Sequence, residues 1–361
     1  MPVLEAVIER LPRARLRGAA YERFARETFS QTPFEAHVAH CRWLYQQNPA
    51  AADGDALPIY VCRDDDAIVG QIAIIPVRIV LDGVNLRSGW CTDFFVLPSH
   101  QRRGLGRQLL SAAHADFPLL MSLGQTQASR NLFLRCGWHH AGVTHTYKRF
   151  LRPMRCLTKK ALESISHAPP AGAPQTCAPT SAAPAPQFDE VDRDLSLGRY
   201  AASELRGRDA PGTRIRRGVD FLRWRYANPA APAYSILRYP HENSTPAFAV
   251  WRTIRDPRWR RGNLVDLIYP SDLPDAGLAE LLAMVTDAMR ADDVDIFECQ
   301  TSDQRVLDAL PHGPFATRQP GVHFVYGGID GTRWPLINAD QWRLYAGDCD
   351  VDALHARGSS Q

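Results

Sequence analysis

Residues 101–107 read Gln101-Arg102-Arg103-Gly104-Leu105-Gly106-Arg107, and they stand where the residue period of the chain changes. Before them, residues 84–97 form a β-rich run ending at Pro98-Ser99; after them, Leu105, Leu109, Ala112 and Ala113 recur at i, i+4, i+7 and i+8, one face of a helix that Pro118 ends. The heptapeptide is therefore a strand-to-helix crossing. A helix start leaves N–H groups unpaired and carries the positive end of the helix dipole, so it attracts anions. Glycines at 104 and 106 remove Cβ atoms and admit a phosphate to the main chain. Arg102, Arg103 and Arg107 add charge-assisted donors suited to a diphosphate. The GxGxxG spacing and a Walker lysine are both missing, so a dinucleotide fold or P-loop is not indicated.

Working outward, residues 59–63 and 67–81 are β-rich runs separated by Asp64-Asp65-Asp66, and Asp82-Gly83 supplies the positive-φ residues of a tight hairpin into residues 84–97. These are adjacent antiparallel strands. Residues 119–123 are a short buried strand, 127–136 a helix stopped by Gly137, and 143–151 a last strand. Residues 3–8 supply a first strand and residues 21–45 one or two helices.

This order, with Gln101-x-x-Gly104-x-Gly106 after a strand and Asn131-Leu132-Phe133-Leu134-Arg135-Cys136-Gly137-Trp138 closing the next helix, resembles the GNAT superfamily of acyl-CoA-dependent N-acyltransferases. The resemblance covers residues 3–151. It implies an α/β (α+β) fold, a mixed, mostly antiparallel twisted sheet flanked by helices, with acetyl-CoA as acyl donor and an amine as acceptor. It further implies that Gln101, Arg102, Arg103, Gly104, Leu105, Gly106 and Arg107 hold the diphosphate, and that the backbone of Phe94, Phe95 and Val96 holds the pantetheine arm. Asn131 and Phe133 would meet the cofactor from the following helix. Many members carry a tyrosine acid four residues before the closing glycine, where this chain has Phe133. For the chemistry itself, Asp93 on the strand flanking the thioester is the candidate carboxylate, with a structural pairing to Arg78 or Arg87 as the other role open to it. Tyr147, with His145 and His139, is a candidate only by its place in or near the last strand.

A second copy follows. Arg42-Trp43-Leu44-Tyr45-Gln46-Gln47-Asn48-Pro49 recurs as Arg223-Trp224-Arg225-Tyr226-Ala227-Asn228-Pro229, residues 89–110 (GWCTDFFVLPSHQRRGLGRQLL) parallel residues 262–282 (GNLVDLIYPSDLPDAGLAELL), and Gln125-Thr126 recurs as Gln300-Thr301. Three matches in one order imply duplication. The Trp-x-Tyr element is open to two roles, core anchor or acceptor contact. In the second copy Leu273, Pro274, Ala276 and Leu278 replace Gln101, Arg102, Gly104 and Gly106, which marks it as degenerate for the cofactor. Between the copies lies a Pro/Ala-rich stretch, residues 166–187, without apolar periodicity. The expected domains are residues 1–155, a linker at 156–187, and residues 188–361.

Composition narrows the classes. Across 361 residues, 42 basic against 39 acidic side chains give a formal charge of +3, too balanced to indicate a nucleic-acid partner. Only three of the basic residues are lysines (Lys148, Lys159, Lys160), so single arginines carry little weight. The eight cysteines stand singly without metal-ligand spacing, so no metal is expected, and no apolar run is long enough for a membrane span. A cytoplasmic N-acetyltransferase acting on a small molecule, amino sugar or peptide is the first reading. A non-catalytic acyl-CoA sensor or scaffold and a Fem-like aminoacyl-tRNA-dependent transferase are the alternatives. Limited proteolysis should nick the chain first between His167 and Gln187; resistance throughout that stretch would show that it is packed.

Overall fold

A computed structural model describes residues 7–52, 54–81, 84–158, 175–177, 213–228, 231–239, 246–255, 258–328 and 337–349. The chain divides into two compact units, one of Met1–Gly142 with His323–Asn338, the other of Val143–Val322 with Ala339–Gln361.

The first unit opens with β1 (Val7–Pro12), α1 (Ala19–Thr28) and α2 (Phe34–Cys41), which runs on into a π-helical turn, Arg42–Gln46. Then come β2 (Ala56–Asp64), β3 (Ala67–Leu81), β4 (Val84–Val96), α3 (Leu105–Asp116), β5 (Leu119–Leu123) and α4 (Gln127–Arg135). β1 to β4 pair antiparallel in sequence order, and β4 pairs parallel with β5. The Asp82-Gly83 turn lies outside the described residues, but its flanks meet as expected, Leu81 opposite Val84. Leu105, Leu109, Leu110 and Ala113 of α3 bury their apolar stripe against Ile72, Ile74 and Leu120 of the sheet. Such a stripe, rather than intrinsic propensity, holds a helix of this length. Trp43, in the π turn, is fully buried.

The second unit repeats much of this order. It contains most of β6 (His139–Phe150), then β7 (Gln175–Cys177), β8 (Thr213–Ile215), α5 (Val219–Leu222) with a second π turn at Arg223–Ala227, β9 (Ser235–Tyr239), β10 (Ala247–Arg255) and β11 (Arg260–Ile268). After these come α6 (Asp275–Ala291), β12 (Ile296–Thr301), α7 (Gln304–Ala309), β13 (Ala316–Gly327) and β14 (Trp342–Arg343). β10 and β11 are antiparallel, β11 and β12 parallel, and β12 is antiparallel to β6. Leu278, Leu281, Leu282, Val285 and Met289 give α6 its buried face. Both units are therefore mixed, mostly antiparallel sheets flanked by helices, the α/β class expected.

The expected boundaries at 155 and 188 are not where the compact units meet. The division falls inside two strands, at 142/143 in β6 and at 322/323 in β13. Residues 324–327 complete the first unit's sheet by pairing antiparallel with β5, Phe324 opposite Leu123 and Gly327 opposite Leu120. The expected linker is also not wholly outside the fold, since Gln175–Cys177 pairs with the edge of β10; residues 159–174 and 178–187 lie outside the described residues. No described helix is long and apolar enough to cross a membrane.

Cleavage between residues 167 and 187 should accordingly leave the two fragments joined, because the C-terminal fragment carries the strand that pairs with β5. They should co-elute in size-exclusion chromatography without denaturant and separate in urea.

Candidate functional site

β4 and β5 share hydrogen-bonded register only at residues 88–90, with Ser88 opposite Leu119 and Trp90 opposite Met121. Beyond Trp90 the two strands part. On its other edge β4 stays paired with β3, but the register slips between Gln71 and Ala73, so that Phe95 faces Gln71 and Thr92 faces Ala73. This is a β-bulge of one extra residue. Asp93 takes up the irregularity with φ of 45°, a left-handed conformation uncommon outside glycine.

From Val96 the chain turns through a short 3-10 segment, Pro98–His100, into α3. Two strained or permissive positions make the turn, Arg102 with φ of 62° and Gly104 with φ of 83°. Gly104 is the N-cap residue of α3, and no side chain caps that helix start. A Cβ added at Gly104 meets nothing within 4 Å, whereas one at Gly106 lies 2.9 Å from Leu132 Cδ2 and 3.5 Å from Phe94 Cζ. Gly104 thus keeps the loop open, and Gly106 lets α3 approach α4. Gln101 Nε2 donates to Val96 O at 2.9 Å, tying the loop back to the strand. Arg102 and Arg107 are exposed and Arg103 half-buried; none of the three enters an ion pair among the described residues. Among the described residues, an unpaired strand edge thus runs into an uncapped helix start bearing arginines without ion-pair partners.

The pattern of the acetyltransferase (GNAT) domain family matches residues 55–140, from the start of β2 to the first residues of β6. The chain carries a GNAT domain. Among solved structures, a GCN5-related N-acetyltransferase from Anabaena variabilis is similar over 89% of this chain and 72% of its own, with TM-score 0.56 at 10% identity. A probable N-acyltransferase from Enterococcus faecalis has TM-score 0.55 at 11% identity, with the same shares covered. N-myristoyltransferase of Saccharomyces cerevisiae, solved with myristoyl-CoA, has TM-score 0.51 at 11% identity over 91% of this chain and 84% of its own. At such identities the likeness is one of fold. No protein of curated function matches the chain by sequence.

Within the GNAT domain, Asp93 is half-buried and accepts a hydrogen bond from Tyr45 Oη at 3.1 Å; the same hydroxyl lies 2.9 Å from Thr92 Oγ1. Neither arginine considered as a structural partner is its partner among the described contacts, and Arg87 instead lies over the Phe117 ring at 4.8 Å. Tyr45 belongs to the Trp-x-Tyr turn, so that element anchors the core through Trp43 and reaches the bulge through Tyr45. Sequence reasoning gave the element two possible roles but missed this pairing; the signal was Trp-x-Tyr recurring together with an Asp. Phe94, Phe95 and Val96 are half-buried on the strand that parts from β5. Phe133 is buried, stacked on Trp138 at 4.4 Å between ring centroids and tilted against Phe94 at 5.8 Å. It sits in the core. Asn131 is exposed and accepts from Gln127 Nε2 at 2.8 Å. Tyr147 lies in the second unit, buried against Phe297, and donates its hydroxyl to Pro311 O at 2.7 Å. Burial pushes its pKa up.

The second unit carries the same framework with the openings closed. β11 and β12 pair only over Arg261–Leu264 and residues 296–299, and β11 bulges between Leu264 and Asp266. There the chain itself enters. Thr301 bridges to Tyr345, Ser302 N donates to Leu344 O at 3.1 Å, and Gly347 passes so close that an added Cβ would stand 2.8 Å from Val265 O. The loop before α6 is also filled. Leu273 and Leu278 are buried, Pro274 is the N-cap, and Arg305 Nη2 is spent on Leu273 O and Asp275 Oδ1. Among the described residues no group of three or more His, Cys, Asp or Glu side chains is arranged to hold a metal ion.

At this second bulge Asp266 is fully buried. Tyr226 Oη donates to it at 2.7 Å, Arg217 Nε approaches both its oxygens at 3.1 and 2.8 Å, and Arg217 Nη2 donates to Asp348 Oδ1 at 2.5 Å. One guanidinium serves two buried carboxylates. Burial, with the charge of Asp266 nearby, pushes the Asp348 carboxyl up to about 7. The folded chain therefore retains a proton between about pH 4 and pH 7 that the unfolded chain releases, so stability falls as pH rises through that window. Asp348→Asn should flatten this fall in urea denaturation across pH 4.5 to 7.5; an unchanged slope would show that Asp348 is not its source.

Proposed function

We propose that the first unit is an acyl-CoA-dependent N-acetyltransferase site and that the second unit is a diverged copy without a cofactor site. The observation that carries the proposal is the continuity from the open edge of β4 into the glycine-arginine loop. Backbone groups along residues 91–96 offer the pantetheine arm the hydrogen bonds that β5 does not supply, in the manner of an added strand. The loop amides and Arg102, Arg103 and Arg107 take the diphosphate. The thioester then lies by the bulge, close to Asp93.

In the reaction a neutral amine nitrogen attacks the thioester carbonyl. A C–N bond forms, the C–S bond breaks, and the proton lost by the nitrogen is matched by the one needed by the departing thiolate. A thiol of pKa about 8.5 leaves without a strong acid. This suits a site where Phe133 stands in the family's tyrosine position and Tyr147 is bound to Pro311 O. The same two observations favour, as the second reading, an acyl-CoA-binding protein that does not turn over. Acetyl as the acyl group, an amine acceptor and a cytoplasmic location belong to the proposal.

Calorimetry with acetyl-CoA should find one site per chain, and two sites of comparable affinity would refute the assignment of the second unit. Gly104→Asp should weaken binding at least 100-fold, since a carboxylate and a Cβ at φ of 83° would meet the diphosphate and strain the loop. Unchanged affinity would show that the loop is not the site. Thiol release upon addition of amines separates the enzyme from the sensor.

A further inference from the structure

The two bulges hold the same pair in different electrical states. In each unit the tyrosine of Trp-x-Tyr donates to an aspartate on the bulged strand, Tyr45 to Asp93 and Tyr226 to Asp266. The two aspartates are one residue apart in register. Ala73–Thr92 and Gln71–Phe95 correspond to Trp251–Leu264 and Ala249–Leu267, which sets Asp93 on Val265 and Phe94 on Asp266. A one-residue shift on a regular strand would reverse the face, but here it falls within the bulge, and the tyrosine reaches the carboxylate in both. In the second unit a cation completes the arrangement, because Arg217 lies against both oxygens of Asp266. In the first unit none does. Nine residues before its tyrosine stands Ala36, where the second copy has Arg217, and among the described residues Asp93 has no ion-pair partner. A half-buried carboxylate with a single neutral donor is incompletely compensated.

We propose that Tyr45 and Asp93 form a cation subsite for the acceptor, occupied by a guanidinium or ammonium group as Arg217 occupies Asp266. This rests on the acyltransferase reading of the first unit. A nitrogen held on a carboxylate keeps its proton, because the nearby negative charge favours the charged form, and so it is in the wrong state to attack a thioester. The held cation and the attacked amine are therefore different groups. The acceptor class is a molecule with two basic nitrogens, a diamine, a guanidinoalkylamine or a peptide with a basic side chain. Asp93 is on this account a binding residue, and its neighbour Tyr45 orients it.

The test uses the full chain and two probes that differ only at one end, butylguanidine and butylurea, the latter carrying a neutral urea in place of the guanidinium and no other cation. Butylguanidine should bind at least about tenfold tighter than the urea by calorimetry or NMR titration, with or without CoA, the discrimination expected of a charged hydrogen-bonded pair; agmatine, which adds an amine to the same guanidinium, serves as the acceptor. Asp93→Asn should erase that preference, raise KM for agmatine by a similar factor and leave kcat within about threefold. Tyr45→Phe should weaken it by a smaller factor. Unchanged acetyl-CoA affinity and a retained cooperative thermal transition in both variants show that they are folded. Equal binding of the two probes, or a preference that survives in Asp93→Asn and Tyr45→Phe, overturns the subsite. So does a fall in kcat with KM unchanged and loss of the acidic limb of the pH profile, which would make Asp93 a base. Failure of acetyl-CoA to bind would instead refute the acyltransferase reading, while the butylguanidine titration still reads the subsite by itself.

Discussion

A parallel pair that stops being a pair is the constraint on which both units depend. In each, two neighbouring strands joined through a helix share hydrogen bonds for three or four residues and then part, β4 from β5 after Trp90 and β11 from β12 after Leu264. Backbone N–H and C=O groups left along such a parting must be satisfied by something. The second unit satisfies them from within, by laying residues 344–348 beside the bulge. In the first unit no strand among the described residues pairs with this edge beyond Trp90. Fold and proposed function thus differ between the units by the source of one set of hydrogen bonds.

The bulge follows from that parting. Extra twist and one extra residue turn the end of β4 away from β5 and aim it at the start of α3, which is what bulges next to binding sites commonly do. Each bulge is held from the other side by a π-helical turn, a geometry often met at functional positions. Its buried tryptophan fixes the turn in the core and its tyrosine fixes the carboxylate. The second unit has the same brace, with Arg217 and Asp348 around it.

What was legible in the sequence was local. Alternation and turn residues located β2 to β5, the stripe Leu105, Leu109, Ala113 located α3, and Arg42-Trp43 against Arg223-Trp224 pointed to two turns that are both π-helical. Gly104 and Gly106 were legible as a pair, although the structure separates their tasks, Gly104 providing φ and open space while Gly106 admits Leu132 and Phe94. What escaped depends on contacts far apart in the chain. The partner of Asp93 is Tyr45, 48 residues upstream, and charge-pair reasoning looked instead to nearby arginines. The partner of β5 comes from residues 324–327, and no periodicity identifies which distant strand will supply an edge. The filling of the second unit's opening by residues 344–348 likewise has no local signature.

That last strand also sets an order of events during synthesis. β5 is buried along its whole length, yet its second neighbour leaves the ribosome only after some 200 further residues have been made, Leu123 waiting for Phe324. Until then the nascent chain presents an apolar strand with one edge open, the kind of surface that recruits wrong partners. Contacts this distant in sequence are also slow to form. The first unit therefore cannot complete its sheet until residues 324–327 are made, and a chain that stops short of them leaves one edge of β5 without its partner strand.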